Sequence, residues 1–305
     1  MNGKWQKLGR VYVARGDFNW DYSHAYIPTP VLLEKEAIRI YVSFLDREMI
    51  GRIGYVDVSS RDPMKVLCVS SLPVLDVGEP GTFDDSGVTP ASIVKTNDSI
   101  LLYYIGWQRH TKIRYTLFGG LAESFDVGES FKRFSQVPIL ERSDDELFVR
   151  SAPCVTTSNQ GSKCWYIAGS EWITLNGKAV PTYNMRYIES ADGRTWPRHG
   201  RVILGLNDPD EFGFGRPWIW KDGNKFRMWF SIRYKSKGYR LGYAESDDGI
   251  VWHRLPMQEG LDVSDHGWDS EMICFAAVIE TEYGTYLFYN GNNYGATGFG
   301  VAELR

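Results

Sequence analysis

The sequence predicts an all-β protein, and more closely a five-bladed β-propeller in which the N-terminal strand closes the last blade. A strand-like tripeptide with an acidic residue at its centre recurs five times along the 305 residues. The copies are Val56-Asp57-Val58, Ala122-Glu123-Ser124, Ile188-Glu189-Ser190, Ala244-Glu245-Ser246 and Ala302-Glu303-Leu304. The acidic position recurs after 66, 66, 56 and 58 residues. A period of roughly 40–60 residues with several short strands per unit is typical of propeller blades.

Turn signals and prolines divide each unit into strands. An inner strand opens each unit, and four of the five carry proline near its start, where a missing backbone donor is tolerated. These inner strands begin near Ala25, Val88, Arg150, Arg216 and Met272. A second strand follows over residues 38–44, 100–105, 163–168, 225–232 and 285–289. After the tripeptide, Asp-Gly turns at 192–193 and 248–249 lead to outer strands that begin with tryptophan.

The last unit ends at Arg305 after its third strand and has no outer strand of its own. The N-terminal segment 5–13 has the pattern of the outer strand at 196–204. We therefore expect the N-terminal segment to pair with the last unit, which removes a free sheet edge.

Composition and charge limit the classes of function. Hydrophobic residues make up 43% of the chain, but no apolar run approaches the roughly 18 residues that span a bilayer, and residues 1–5 contain no apolar stretch of the signal-peptide type. We expect a single domain over residues 1–305, in the cytoplasm, with no membrane partner. The net charge of −4 argues against a nucleic-acid partner. The cysteines and histidines lack ligand spacing, so neither a metal site nor a cofactor is expected.

Residues that repeat in every unit are explained by packing, so the site is better sought where the units differ. The repeated Glu123, Glu189, Glu245 and Glu303 are therefore interpreted as scaffold. In each unit the inner strand runs along the central axis, and the second strand runs back in the opposite direction. The start of the first and the end of the second therefore lie on one face, which we predict to be the binding face.

Non-repeating polar and aromatic residues gather on this face. The predicted catalytic residues are Asp85, Glu171 and Glu271, because glycoside cleavage needs one protonated and one ionised carboxyl group. The predicted substrate-binding residues are His24, Arg47, Trp107, Arg150, Trp172, Arg216, Arg233, Asp269, Asn290 and Asn292. The tryptophans would stack on sugar rings. The four arginines predict a negatively charged ligand, such as an acidic sugar, a sugar phosphate, a nucleotide sugar or free phosphate.

Three segments, 83–90, 267–272 and 288–295, resemble the five-bladed propeller proteins known as glycosyl-hydrolase-like in bacterial polysaccharide loci. At wider range the chain is similar to the superfamily of arabinanases, xylosidases, fructosidases and mannoside phosphorylases. The resemblance implies an axial site with Asp at the first inner strand, Asp at the second and Glu at the third. Only Asp85 matches. The first unit has Ser23-His24-Ala25 and the third has Arg150-Ser151 at those places.

Two classes of function remain open. One is an enzyme that cleaves or transfers a glycosidic bond of an anionic or phosphorylated sugar, by hydrolysis or phosphorolysis, with Asp85 and either Glu271 or Glu171 as the carboxylate pair. The other is a non-catalytic carbohydrate-binding protein of polysaccharide biosynthesis. The separation of the carboxyl groups distinguishes them, since both glycosidase mechanisms need a pair within about 10 Å.

Overall fold

The computed structural model describes residues 3–305, and its regular secondary structure is almost entirely β-strand, as the sequence predicts. It also contains one turn of 3-10 helix at Asn19–Asp21 and one helical turn, α1, at Asn292–Gly295. Within the described residues, no helix has the length and hydropathy needed to cross a membrane.

Along the chain the strands pair antiparallel in five consecutive groups, of which groups two and three are joined in one eight-stranded sheet by a short parallel pairing of residues 149–150 with residues 117–118. The first strand, β1 (Trp5–Tyr12), belongs to the fifth group. Group one contains β2 (Ser23–Glu34), β3 (Ala37–Leu45), β4 (Gly51–Ser59) and β5 (Val66–Val69). Group two contains β6 (Val88–Lys95), β7 (Ile100–Arg109), β8 (Tyr115–Ser124) and β9 (Lys132–Arg133).

Group three contains β10 (Val149–Ser158), β11 (Gly161–Gly169), a hairpin of β12 (Trp172–Leu175) and β13 (Lys178–Pro181), β14 (Asn184–Ser190) and β15 (Arg201–Leu204). Group four contains β16 (Glu211–Phe214), β17 (Trp218–Asp222), β18 (Lys225–Tyr234), β19 (Arg240–Ser246) and β20 (His253–Leu255). Group five contains β21 (Cys274–Glu280), β22 (Thr285–Asn290), β23 (Phe299–Leu304) and β1. The β12–β13 hairpin is an insertion that the repeat pattern did not predict.

The second strand of each group is apolar over most of its length because it is covered on both faces. In β3, for example, only the two terminal residues are not fully buried. The core lies between neighbouring groups. Tyr12 of group five, Phe44 of group one and Phe299 of group five share one apolar cluster. Burial of both faces explains why these strands are continuous apolar runs instead of alternating patterns.

The N-terminal strand pairs with the last strand of the chain, as the sequence predicts. The β1–β23 register runs from Trp5 opposite Leu304 to Tyr12 opposite Phe299. Trp5 is buried and packs edge-on against Trp229, with ring centroids 6.2 Å apart. The chain ends are therefore tied to each other and to group four.

Side chains join each group to the next at the inner strands. Four backbone amides donate to side chains of the preceding group: Val155 to Ser92 Oγ, Ile219 to Cys154 Sγ, Phe275 to Ser231 Oγ and Ile27 to Asn290 Oδ1. The fifth connection is from Ser43 Oγ to the Val88 carbonyl, at 2.8 Å. The Ile27–Asn290 bond joins group one to group five.

The inner strands are irregular where they pass the centre of the molecule. Ile27, Ala152 and Phe275 have positive φ in groups one, three and five. In group four the inner strand is interrupted between β16 and β17, at residues 215–217, whereas the sequence predicted an inner strand that begins at Arg216. These breaks free backbone carbonyls from the sheet ladders, because a bulged residue is left unpaired.

Candidate functional site

A cavity of about 580 Å³, the central pocket, opens where the inner strands begin, on the predicted binding face. Its walls come from groups one, two, four and five. The lining includes His24, Tyr26, Ser86, Trp107, Arg109, Arg114, Tyr115, Arg233, Tyr239 and Tyr294. The volume lies in the range typical of small-molecule sites.

Three arginines give the central pocket a positive lining. Arg109 donates to two backbone carbonyls at 2.8 and 3.0 Å, and Arg114 lies over the ring of Tyr115 at 5.9 Å. Arg233 donates to one backbone carbonyl at 2.7 Å. In the part of the chain that the structure describes, none of the three has a carboxylate partner, and no Asp or Glu lines the pocket. Guanidinium groups without a carboxylate can bind carboxylate or phosphate through two parallel hydrogen bonds.

Tyrosines surround Arg233. Its guanidinium lies over the Tyr183 ring at 4.4 Å, and Tyr183 Oη lies 2.9 Å from Tyr115 Oη. Burial raises the pKa values of Tyr26 and Tyr239, so both hydroxyls are neutral near pH 7. A neutral hydroxyl can donate a hydrogen bond to an anion. The pocket therefore combines cationic and neutral donors.

His24 lies in the pocket wall in a conformation that is unusual for a non-glycine residue. Its φ is 60°, and Asn293 and Tyr294 of α1 also have positive φ. The His24 Nδ1 atom lies 3.0 Å from Ser23 Oγ. Burial lowers the pKa of His24, and a hydrogen bond with the Asn293 backbone opposes that shift. Backbone strain of this kind clusters at functional sites.

The two predicted tryptophans lie in successive layers. Trp107 lines the central pocket, and its Nε1 donates to Thr89 Oγ1 at 3.0 Å. Trp172 lies behind this layer, packed against Phe148 and Tyr115 with ring centroids 5.7 and 6.3 Å apart. Trp107 is thus placed to contact a ligand, whereas Trp172 supports the wall through Tyr115.

The three predicted catalytic carboxylates do not line one cavity. Asp85 lies beside the central pocket, where its carboxylate accepts from Ser86 Oγ at 2.8 Å and from the Gly81 amide at 2.9 Å. Glu171 lines a second cavity of about 360 Å³, the side cavity, together with residues that include Asp145, Ser170, Thr182, Tyr183, Asn184 and Arg186. Glu271 is exposed and lines neither cavity.

Of the four predicted arginines, only Arg233 lines the central pocket. Arg47 is exposed over the Tyr22 ring at 4.2 Å. Arg150 is buried, with its Nε 2.6 Å from Glu146 Oε2. Arg150 therefore pairs with a carboxylate of the protein, and Arg47 lies at the surface outside the pocket lining.

Arg216 also lies outside the pocket lining, although it is central to the molecule. Its guanidinium donates to Thr29 Oγ1 and to the carbonyls of Ala91, Phe275 and Ala276, at 2.7–3.3 Å. Arg216 is buried without a carboxylate partner among the described residues, and burial lowers the pKa of its guanidinium. These carbonyls lie where the inner strands depart from regular pairing, so Arg216 ties groups one, two, four and five together.

Asp269, Asn290 and Asn292 bond to the protein itself. Asp269 accepts from Lys7 Nζ at 2.7 Å and is almost fully buried. Asn290 is completely buried and bonds to three backbone groups. Asn292 Oδ1 accepts from the Glu271 and Met272 amides. The polar atoms of these three residues hold the loops and strands of group five, and none of the three lines the central pocket.

A second series of acidic residues, which sequence reasoning missed, supports the binding face. One buried carboxylate precedes the inner strand of each group: Asp21, Asp84, Glu146, Glu211 and Asp269. Glu146 accepts from Arg186 Nη1 and from Tyr166 Oη, both at 2.9 Å. Arg133, Arg254 and Lys7 are the basic partners in groups two, four and five. The series contains three Asp and two Glu residues and lacks constant neighbours, so the sequence does not show it as a repeat.

The acidic residues of the tripeptides have protein partners, in agreement with their interpretation as scaffold. Asp57 accepts two hydrogen bonds from Arg39 at 2.8 Å, and Glu245 accepts one from Arg227 at 2.7 Å. Glu123 pairs with Arg194. Across residues 3–305, no group of three or more His, Cys, Asp or Glu side chains is arranged to hold a metal ion.

Sequence comparison finds relatives over nearly the whole chain. "Uncharacterized protein Rv1502" of Mycobacterium tuberculosis (strain H37Rv) is 35% identical over 300 residues, which cover 98% of this chain and 99% of the relative. "Uncharacterized protein MT1551" of the CDC 1551 strain matches with the same identity and coverage. No family model matches the chain.

Solved structures share the fold at low identity. A complex of BT0996 with RGII has a TM-score of 0.75 and 17% identity, covering 98% of this chain and 91% of the neighbour. A thermostable family-43 glycoside hydrolase has a TM-score of 0.69 and 13% identity, covering 93% and 88%. A structure from work on the GH130 family of mannoside phosphorylases has a TM-score of 0.73 and 14% identity, covering 99% and 93%. At these identities the likeness shows a propeller-type fold.

Proposed function

The chain belongs to the same family as Mycobacterium tuberculosis Rv1502 and has the propeller-type fold of glycosyl-hydrolase-like proteins, and we propose that it is a carbohydrate-active protein whose central pocket binds an anionic sugar. The observation that carries this proposal is the lining itself. Arg109, Arg114 and Arg233 face the pocket without a carboxylate partner among the described residues. An unpaired cationic lining favours a ligand that supplies the negative charge.

The fold supports a sugar as the ligand class. Glycoside hydrolases are among the solved structures with this fold, and one neighbour is the complex of BT0996 with RGII. The pocket also offers the two kinds of contact that sugars use. Trp107 presents an aromatic ring for the apolar face of a sugar, and Tyr26 and Tyr239 present hydroxyl groups.

Variants of the exposed arginines test this assignment. Arg114→Gln and Arg109→Gln each remove one charge from the lining and leave the buried Arg233 in place. We expect each to weaken glucuronate binding by about tenfold, the typical worth of one charge-assisted hydrogen bond, and to leave glucose binding unchanged. The fluorescence of Trp107 in the pocket wall provides the titration signal. Equal losses for both sugars, or no loss for either, would count against an anion site.

Enzymatic transfer at this pocket is a second candidate, favoured by the position of Asp85. The Asp85 carboxylate accepts a hydrogen bond from Ser86, which lines the pocket, so Asp85 is in direct contact with a lining residue. In phosphorolysis, Asp85 would donate its proton to the leaving glycosidic oxygen while a phosphate oxygen bonds to the anomeric carbon. The carbon–oxygen bond to the leaving sugar breaks and a sugar phosphate forms.

The lining suits this reaction because it supplies cations for phosphate and no second carboxylate. Asp85→Asn would then abolish turnover without weakening glucuronate binding. Formation of sugar phosphate only when phosphate is added would distinguish phosphorolysis from hydrolysis. Product formation by the Asp85→Asn variant at the wild-type rate would remove Asp85 from the mechanism.

We further propose that the five groups are the blades of one closed ring, which forms a single domain around the central pocket. Support comes from the contacts of β2 with β21 and from the Ile27–Asn290 bond, which join group five to group one, and from the β1–β23 pairing, which brings the N-terminal strand into group five. Deletion of residues 3–12 would expose the edge of β23 and the cavity left by Trp5. We expect a lower melting temperature and concentration-dependent association, measured by calorimetry and light scattering. An unchanged melting temperature would contradict closure.

A further inference from the structure

The side cavity differs from the central pocket in charge. Its lining contains Glu171 and Asp145, with Asn184 and Arg186. The Glu171 carboxylate is exposed and has no ion-pair or side-chain hydrogen-bond partner in the part of the chain that the structure describes. The single lining arginine, Arg186, is already matched by Glu146 at 2.9 Å and lies 3.6 Å from Asp145. The cavity is therefore acidic, whereas the central pocket is cationic.

One pair of tyrosines separates the two cavities. Tyr183 lines the side cavity, and its hydroxyl lies 2.9 Å from that of Tyr115, which lines the central pocket. Arg233 of the central pocket lies over the Tyr183 ring at 4.4 Å. The two cavities are therefore neighbours that share one wall.

We propose that the side cavity is a second sugar subsite, and that the ligand is an oligosaccharide with an anionic unit in the central pocket and an uncharged or amino sugar in the side cavity. This proposal rests on the proposed function. Carboxylate and amide oxygens accept hydrogen bonds from sugar hydroxyls, and a carboxylate attracts an ammonium group. The same carboxylates repel a second anion, so the two cavities select units of different charge.

Glucosamine and glucuronate, used as separate probes, test the two cavities without assuming a linkage between them. We expect glucosamine to bind protein already saturated with glucuronate, and to bind more tightly than glucose does. Glu171→Gln keeps the size of the side chain and removes its charge. It should weaken glucosamine binding about tenfold and leave glucuronate binding unchanged. Ligand-observed NMR titration measures both affinities.

Glu282→Gln is the matched control, because Glu282 is an exposed carboxylate in the turn between β21 and β22, outside both linings. It should change neither affinity. Competition between glucosamine and glucuronate for one site, or an unchanged glucosamine affinity in Glu171→Gln, would overturn the second subsite. Failure of wild-type protein to bind glucuronate would instead overturn the proposed function of the central pocket.

Discussion

Replacement of Glu146 tests whether the buried carboxylates before the inner strands hold the binding face. Glu146 is completely buried and bonds to two arginines, Arg150 at 2.6 Å and Arg186 at 2.9 Å, and to Tyr166 at 2.9 Å. Glu146→Ala would leave the buried guanidinium group of Arg150 without a carboxylate partner among the described residues, and Arg186 with only the exposed Asp145, 3.6 Å away. Breaking a buried ion pair in this way costs about 3–5 kcal/mol, because the remaining charge stays desolvated.

A loss of that size should lower the melting temperature by roughly 6–10 °C in a chain of this length. Chemical denaturation gives the free energy of unfolding, and Glu146→Gln, which keeps an acceptor oxygen without the charge, should lose an intermediate amount. Glu171→Ala is the control, since this exposed glutamate in the same group should change stability by no more than about 0.5 kcal/mol. A loss below about 1 kcal/mol for Glu146→Ala would refute the assigned role.

Two further predictions follow from the residues around the centre. Asn290→Ala should destabilise the protein by roughly 3 kcal/mol, since three buried backbone groups lose their partner and each costs about 1–3 kcal/mol. A loss in the free energy of unfolding below about 1 kcal/mol, measured by chemical denaturation, would contradict the role of Asn290 in joining groups five and one. Burial lowers the pKa of His24, so protonation costs the folded state free energy, and wild-type stability should fall as pH drops below about 6.5. His24→Gln should lack that component of the pH dependence in denaturation curves at pH 7.5 and 5.5, and an identical pH dependence in both proteins would show that His24 does not contribute.

The strand order could be predicted from the sequence because each strand or turn has a pattern in its own neighbouring residues. The tripeptides, the Asp-Gly turns and the apolar second strands depend only on neighbouring residues, and the predicted second strands agree with β3, β7, β11, β18 and β22. The β12–β13 hairpin belongs to one unit and has no repeat to reveal it. The break at Arg216 depends on acceptor oxygens from three other groups, which no local pattern records.

The candidate site could be predicted from the sequence only in part. Strand ends predicted His24, Trp107 and Arg233 on one face, and all three line the central pocket, because the end of a strand fixes the position of its backbone. The directions in which the side chains point could not be predicted from the sequence. Asp269 and Arg150 begin on the same face but turn into buried ion pairs, and the exposed Arg114 enters the pocket wall from a loop that carries no repeat signal.

Calorimetric titration of the wild-type protein with glucuronate and with glucose, at low and at high ionic strength, tests the central claim most directly. The two sugars differ in one carboxylate, so the comparison isolates the charge that the arginine lining would bind. We predict that glucuronate binds at least about tenfold more tightly at low salt, and that added salt narrows the difference by screening the exposed arginines. Equal affinity for the two sugars at both ionic strengths would contradict an anion site in the central pocket.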